Sequence, residues 1–156
     1  MLINQDLAAF MASPVMIILG TRDDFLAPEI ARAVGAVVRR DKGHVDLMVS
    51  EWQWPKTVAN VRANGQLAVT FARPSDYVSY QIKGHATVVS TAAEHVALAG
   101  RYMECMASTL GELGLEQRVV APWLVDRDLV AVRLSVQEIF EQTPGARAGR
   151  LIEGQP

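Results

Sequence analysis

The stretch that decides the fold is Tyr77-Val78-Ser79-Tyr80-Gln81-Ile82-Lys83-Gly84-His85-Ala86-Thr87-Val88-Val89. Val78, Tyr80, Ile82, Gly84, Ala86 and Val88 fall on one side, and Tyr77, Ser79, Gln81, Lys83, His85 and Thr87 on the other. A period of two with one apolar side predicts a long, half-buried β-strand. Gly84 in its middle predicts a bulge or a close backbone approach. Before it, Arg73-Pro74-Ser75-Asp76 reads as a turn, and Leu67, Val69 and Phe71 alternate as another strand. Two strands joined by a short turn form an antiparallel hairpin, not a strand–helix–strand unit.

Further out, Pro55 opens a helix, because proline suits the first helical position, and Asn64-Gly65 closes it. Val45, Leu47 and Val49 alternate with His44, Asp46, Met48 and Ser50, a strand with one drier face that follows a turn at Asp41-Lys42-Gly43. Ile30 to Val38 reads as one strand. Val15 to Leu19 reads as a strand buried on both faces, after a turn at Pro14 and a short helix over residues 2–12. On the other side, Thr91 and Glu94 have capping-box spacing. Val96, Ala99, Met103, Met106, Leu110 and Leu113 then form one apolar helical stripe. Leu129 to Phe140 is the last clear strand. Residues 143–156 read as an extended, mobile tail unless packed on a partner.

About six strands in antiparallel succession, with two or three helices attached, predict a mainly β fold, a small closed or partly closed barrel spanning residues 1–142. The 156 residues suit one domain, and a chain of this size needs no disulfide to hold a core. One cysteine, Cys105, excludes an internal disulfide framework. A net charge of −2 gives no support to nucleic-acid or polybasic membrane binding. No apolar run approaches the length of a membrane span, and no basic leader precedes Asp6, so the chain reads as a soluble, cytoplasmic protein. An aromatic content of 6% argues against a flat ligand held mainly by stacking.

Few residues stand out as chemistry. His44, His85 and His95 are scattered without metal-ligand spacing, so no metal site is expected. Cys105 sits mid-helix, away from any helix N-terminus that would activate a thiol. No nucleophile elbow, dinucleotide fingerprint or P-loop occurs. Lys56 and Thr57 lie in the first turn of a helix, where free N–H groups and the dipole favour an anion. Arg32 lies in an apolar stretch and needs a partner: either a phosphate shared with Lys56 and Thr57, or a carboxylate such as Asp46 or Glu51. Gln81 and Lys83 beside Gly84 offer donors to a flat heterocycle.

The order Ile30-Ala31-Arg32-Ala33-Val34-Gly35, then Pro55-Lys56-Thr57 opening a helix that ends Ala63-Asn64-Gly65, then Tyr80-Gln81-Ile82-Lys83-Gly84, resembles the pyridoxamine 5′-phosphate oxidase-like proteins. The resemblance implies a split β-barrel, a homodimer with FMN at the subunit interface, and an oxidoreductase acting on a small molecule. It implies that Arg32 approaches the FMN phosphate, that backbone groups of Ala33 and Val34 follow the flavin edge, and that Lys56 and Thr57 stand where the oxidases carry an Arg-Lys pair. Ser79 aligns with a flavin-contacting glutamine, a role that Gln81 takes over two residues on. A phosphate clamp needs few rings, which reconciles a flavin with the low aromatic content. The oxidases' C-terminal arginine–histidine substrate motif is missing from Thr143 onward, so pyridoxamine phosphate is not expected as substrate. The tail instead lies across the partner in this reading. The same resemblance leaves room for a non-catalytic flavin carrier or sensor, for F420 or haem in the same fold, and for a structural dimer with no ligand.

Overall fold

In a computed structural model of the chain, residues 3–154 are described. Eight strands form one antiparallel sheet in the order β2-β1-β5-β6-β7-β4-β3, with β8 paired to β7. The strands are β1 (Met16–Arg22), β2 (Pro28–Arg32), β3 (Ala36–Val38), β4 (His44–Ser50), β5 (Gln66–Ala72), β6 (Ser79–Val89), β7 (Leu129–Glu141) and β8 (Arg150–Gly154). The helices are α1 (Gln5–Ala12), α2 (Pro55–Asn64), α3 (Ala93–Glu112) and a short α4 (Gln117–Val120) that runs into a 3₁₀ turn at Ala121–Trp123. The barrel interior holds Ile17, Leu19, Leu47, Val69, Phe71, Ile82 and Leu134, all at most 1% exposed. The fold is the mainly β, antiparallel barrel expected from the alternation, in the split form that the resemblance implied.

Two strands more than the six read from the sequence have separate causes. Ile30 to Val38 is not one strand: β2 ends at Arg32 and β3 begins at Ala36. Between them Gly35 takes φ 152°, a conformation that side chains disfavour, and Ala33 and Val34 change partners. The Ala33 N–H donates to Ile17 O (3.0 Å) and the Val34 N–H to Met48 O (2.8 Å), so the chain steps from β1 to β4 and curls the sheet into a barrel. The eighth strand comes from the expected tail. Arg150–Gly154 continues the line of β4 along the same edge of β7.

Burial corrects two faces. β1 is not dry on both sides: Val15, Ile17 and Leu19 are buried, whereas Met16, Ile18 and Gly20 are half-buried. β4 is the strand buried on both sides, because α3 lies on its outer face and packs Ala99 against Val34 and Met48. The stripe on α3 is accordingly shorter than expected: Ala99, Met106 and Leu110 are buried, while Val96 and Leu113 are about half exposed. Its N-terminus also differs from the Thr91–Glu94 box. Ala92 is the N-cap residue, and its N–H donates to Nδ1 of His95 (2.9 Å). The first apolar residue of the expected 2–12 helix, Leu2, lies outside the described residues.

Gly84 shows both features expected of it. The β6–β7 register slips between Lys83 and Gly84. A Cβ at Gly84 would also run into the carbonyl oxygen of Ser135 on β7.

Candidate functional site

The outer face of β2-β1-β5-β6 is covered by the C-terminal half of α3 and the 3₁₀ turn at its Met16–Arg32 end. Residues directly opposite in an antiparallel sheet share a face, so the register builds the surface. One row runs Arg32, Ile18, Thr70, Gln81, Phe140, and the next runs Ile30, Gly20, Ala68, Lys83, Glu138. The topology therefore brings Arg32, Gln81 and Lys83 onto one face, with Arg32 and Gln81 three strand spacings apart, about 14 Å. Ile18 and Thr70 lie between Arg32 and Gln81, and in the next row Gly20 and Ala68, between Ile30 and Lys83, carry little side-chain volume. Gln81 donates from Nε2 to Thr70 Oγ1 (3.2 Å), and the Lys83 ammonium lies 4.9 Å from the centre of the Phe140 ring.

Arg32 has found neither carboxylate weighed for it. Asp46 is taken by Arg133 (2.7 and 2.9 Å), His95 (3.1 Å) and Arg39 (3.3 Å), and Glu51 pairs with Arg62. The Arg32 guanidinium is half-buried, lies 4.6 Å from the centre of the Trp123 ring and points Nη1 at Met16 Sδ (3.8 Å). Burial lowers its pKa from the ordinary arginine value, an effect only partly offset by the neighbouring Tyr102. The Tyr102 phenol is itself pushed well up by burial and donates to Val15 O (2.7 Å). Among the described residues Arg32 makes no ion pair. Arginine in a half-buried setting without a counter-ion is costly.

The start of α2 lies close to this corner. Pro122, next to Trp123, accepts from Gln53 Nε2 (2.6 Å), two residues before Pro55. The 3₁₀ turn thus bridges Arg32 and the approach to α2. The N-cap of α2 is Trp54, and no side chain caps the helix, so its first-turn N–H groups face their surroundings uncapped. Lys56 projects into solvent and makes no ion pair among the described residues. Thr57, by contrast, is 1% exposed, and its Oγ1 is the one buried side-chain polar atom without a partner among the described residues. A buried hydroxyl left unpaired costs about 1–3 kcal/mol.

The remaining sequence candidates are placed differently. The N–H groups of Ala33 and Val34 are already spent on Ile17 and Met48, and both residues are 2% exposed. Ser79 is 8% exposed, its hydroxyl donates to Tyr77 O (2.8 Å), and its N–H donates to Thr143 Oγ1 (3.0 Å). Trp123, Thr70, Gly20 and Ala68 were not singled out from the sequence. The register that makes Gly20 and Ala68 a floor is invisible until strands are paired, and Trp123 followed no periodic pattern.

A second polar cluster lies under α3. Asp46 is fully buried, and burial alone would raise its carboxyl; the hydrogen bonds from Arg133 and His95, helped by the charges of Arg133 and Arg39, outweigh that and hold it below the usual aspartate value. Both ring nitrogens of His95 are engaged, Nδ1 accepting from Ala92 N–H and Nε2 facing Asp46, which assigns the proton to Nε2. No group of three or more His, Cys, Asp or Glu side chains able to hold a metal ion occurs among the described residues. No helix among them is long and apolar enough to cross a membrane.

The barrel, its β2–β3 crossover and its helix-covered β4 form a split-barrel fold that solved structures share. Among solved structures, HupZ of Group A Streptococcus superposes with a TM-score of 0.58 at 19% identity, covering 95% of this chain and 100% of its own. An F420 reductase superposes with a TM-score of 0.59 at 14% identity, covering 88% and 98%. The Vibrio cholerae haem storage protein HutZ matches with a TM-score of 0.54 at 16% identity, covering 90% and 95%. A candidate pyridoxamine 5′-phosphate oxidase from Lactobacillus delbrueckii matches at 0.56 and 12%, covering 88% and 93%. No family model and no curated protein matches the chain.

Proposed function

We propose that the protein is an FMN-dependent oxidoreductase that holds its flavin on the outer β2-β1-β5-β6 face at a homodimer interface. The observation that carries this reading is Arg32: a half-buried guanidinium without a carboxylate, on the same face as Gln81 and Lys83. A bound phosphate would supply the missing counter-charge. The uncapped α2 N-terminus and the unpartnered Thr57 hydroxyl, bridged to that corner by the 3₁₀ turn, fit an anion in the same region.

The FMN ring, when bound, supplies two-electron redox chemistry, and the protein supplies binding, orientation and electrostatics. Arg32 and Lys56 hold the phosphate. The Gly20–Ala68 floor offers little side-chain volume beneath a flat ring, with Ile30 Cδ1 at its β2 border. Gln81 contributes a carboxamide to the ring edge, its nitrogen tied to Thr70 and its oxygen without a partner among the described residues. Lys83 places positive charge on the same face, which favours the reduced, more negative ring. Solved structures with this fold include an F420 reductase and a haem storage protein, so the ligand's identity is the first thing to measure.

The homodimer rests on exposed apolar residues at the same edge of the sheet. Phe25 is 93% exposed, Leu26 70% and Ile30 62%, all on the β1–β2 hairpin. Apolar side chains grouped on one edge are characteristic of a protein interface. A second copy there would shield one side of the flavin from water.

The experiment is an FMN titration of the purified protein, following quenching of flavin fluorescence, with sedimentation equilibrium on the same sample. Saturable quenching by a dimer supports the reading. A monomer that leaves FMN fluorescence unchanged overturns it.

A further inference from the structure

A cavity of about 400 Å³ opens between α1, β3 and α3, with Tyr102 standing between it and the surroundings of Arg32. Its size lies within the range of small-molecule sites, and voids of this size are foreign to a well-packed interior. Its origin is a run of small residues where three elements meet. Ala8 and Ala12 on α1 and Ala36 on β3 line it with little side-chain volume, and Gly35, just before β3, packs against Met48 and Ala99. β3 pairs only with β4, so its other edge is free to border the hollow.

The third wall comes from α3. Arg101, Tyr102 and Cys105 are spaced so that one helical face turns toward the cavity. The Tyr102 hydroxyl is already spent on Val15 O, so that residue offers the cavity its ring. Arg101 is the only charged side chain in the lining, is exposed, and makes no ion pair among the described residues. An apolar hollow with one unpaired cation at its rim has the chemistry of a receptor for an apolar chain ending in a single negative charge.

We propose that this cavity binds a medium-chain aliphatic carboxylate, its chain between α1 and α3 and its carboxylate paired with Arg101. Tyr102 stands between this site and Arg32, but none of the residues that line it is one the flavin reading uses, so the proposal does not depend on that reading.

Cys105, the one cysteine of the chain, is exposed within the lining and serves as the reporter. Its alkylation by iodoacetamide is timed on the full-length protein with and without decanoate. Decanoate at ten times its half-protecting concentration should slow alkylation about tenfold, as simple occupancy requires. Decanol should protect much less. The Arg101→Glu variant should lose protection by decanoate, read as the ratio of its own unprotected and protected rates, because an anion one turn from Cys105 also slows the unprotected reaction; Arg101→Gln serves if the charge reversal disturbs folding. No protection by decanoate overturns the proposal, as does equal protection by decanol, or protection that survives both substitutions. Protection that FMN competes away assigns the cavity to the cofactor site and overturns it too. Failure of FMN to bind, with decanoate protection intact, leaves this site standing and removes only the flavin reading.

Discussion

The guanidinium of Arg32 rests against the ring of Trp123, 4.6 Å from its centre, on a strand edge where no carboxylate reaches it among the described residues. The pair joins β2 to the 3₁₀ turn, and through Pro122 and Gln53 to the approach of α2. A stack of this kind fixes the direction of the guanidinium while leaving its N–H groups free for an anion.

Arg32→Ala should weaken FMN binding by about 1.5–3 kcal/mol, the worth of hydrogen bonds to a charged group. Arg32→Lys should recover little of it, because an ammonium neither stacks on Trp123 nor presents a fork of donors. Fluorescence titrations of the three proteins at one salt concentration check this. Equal affinities would remove Arg32 from the phosphate site.

Ile30→Asp places a charge on the exposed apolar edge of β2 without touching the barrel interior. The dimer should dissociate at concentrations where the parent chain stays paired, and FMN affinity should fall with it. Sedimentation equilibrium with and without FMN separates the two effects. An unchanged mass distribution would place the interface elsewhere.

Asp46 makes stability sensitive to acid. Its carboxyl titrates below its value in the unfolded chain, because the Arg133 and His95 hydrogen bonds outweigh the opposing effect of burial. A depressed folded-state pKa contributes stability that is present above the unfolded aspartate value, about 3.9, and is lost as pH falls through the lower folded value. Urea midpoints should therefore drop below about pH 4, and Asp46→Asn should flatten this part of the drop. At pH 7 the same substitution should cost about 3 kcal/mol, since Arg133 loses its buried partner while still reaching water. A variant as stable as the parent at pH 7 would contradict the network.

Two glycines predict opposite signs for the same change. At Gly84 a methyl group would meet the Ser135 carbonyl on the neighbouring strand, so Gly84→Ala should lose about 3 kcal/mol or more and loosen the β6–β7 pairing. Gly100 lies inside α3 with nothing near an added Cβ. Gly100→Ala should gain about 0.5–1 kcal/mol from helix propensity alone. Thermal melts of both variants suffice.

Period-two patterns carried most of the fold. β5, β6 and β7 stand where Leu67–Phe71, Tyr77–Val89 and Leu129–Phe140 predicted strands, because each presents one face to the barrel. The failures lie where a distant element decides burial. His44, Asp46, Met48 and Ser50 read as the wetter face of β4, and α3 covers Asp46 and Met48 some fifty residues later in the chain, while His44 stays half-exposed and Ser50 donates to Arg127 O. Gly35 looked like a tolerated irregularity, although it is the hinge that closes the barrel. The β8 segment carries too little alternation to declare itself, and only the free edge of β7 makes it a strand.

The candidate site was legible as residues but not as a surface. Arg32, Lys56 and Thr57 announced themselves by charge and by position at a helix start, and Gln81 and Lys83 by their place on one strand face. That Arg32 and Gln81 share a face depends on the pairing of four strands. That Arg32 stacks on Trp123 depends on a turn ninety residues away, which no local pattern encodes.

The most direct test of the central claim is the visible spectrum of freshly purified protein, followed by addition of FMN and mass analysis of any released ligand. The account predicts flavin absorbance in the near-ultraviolet and blue, or its appearance together with quenched fluorescence when FMN is added. A Soret band, the single violet–blue band of a deazaflavin, or a colourless protein indifferent to FMN would contradict it.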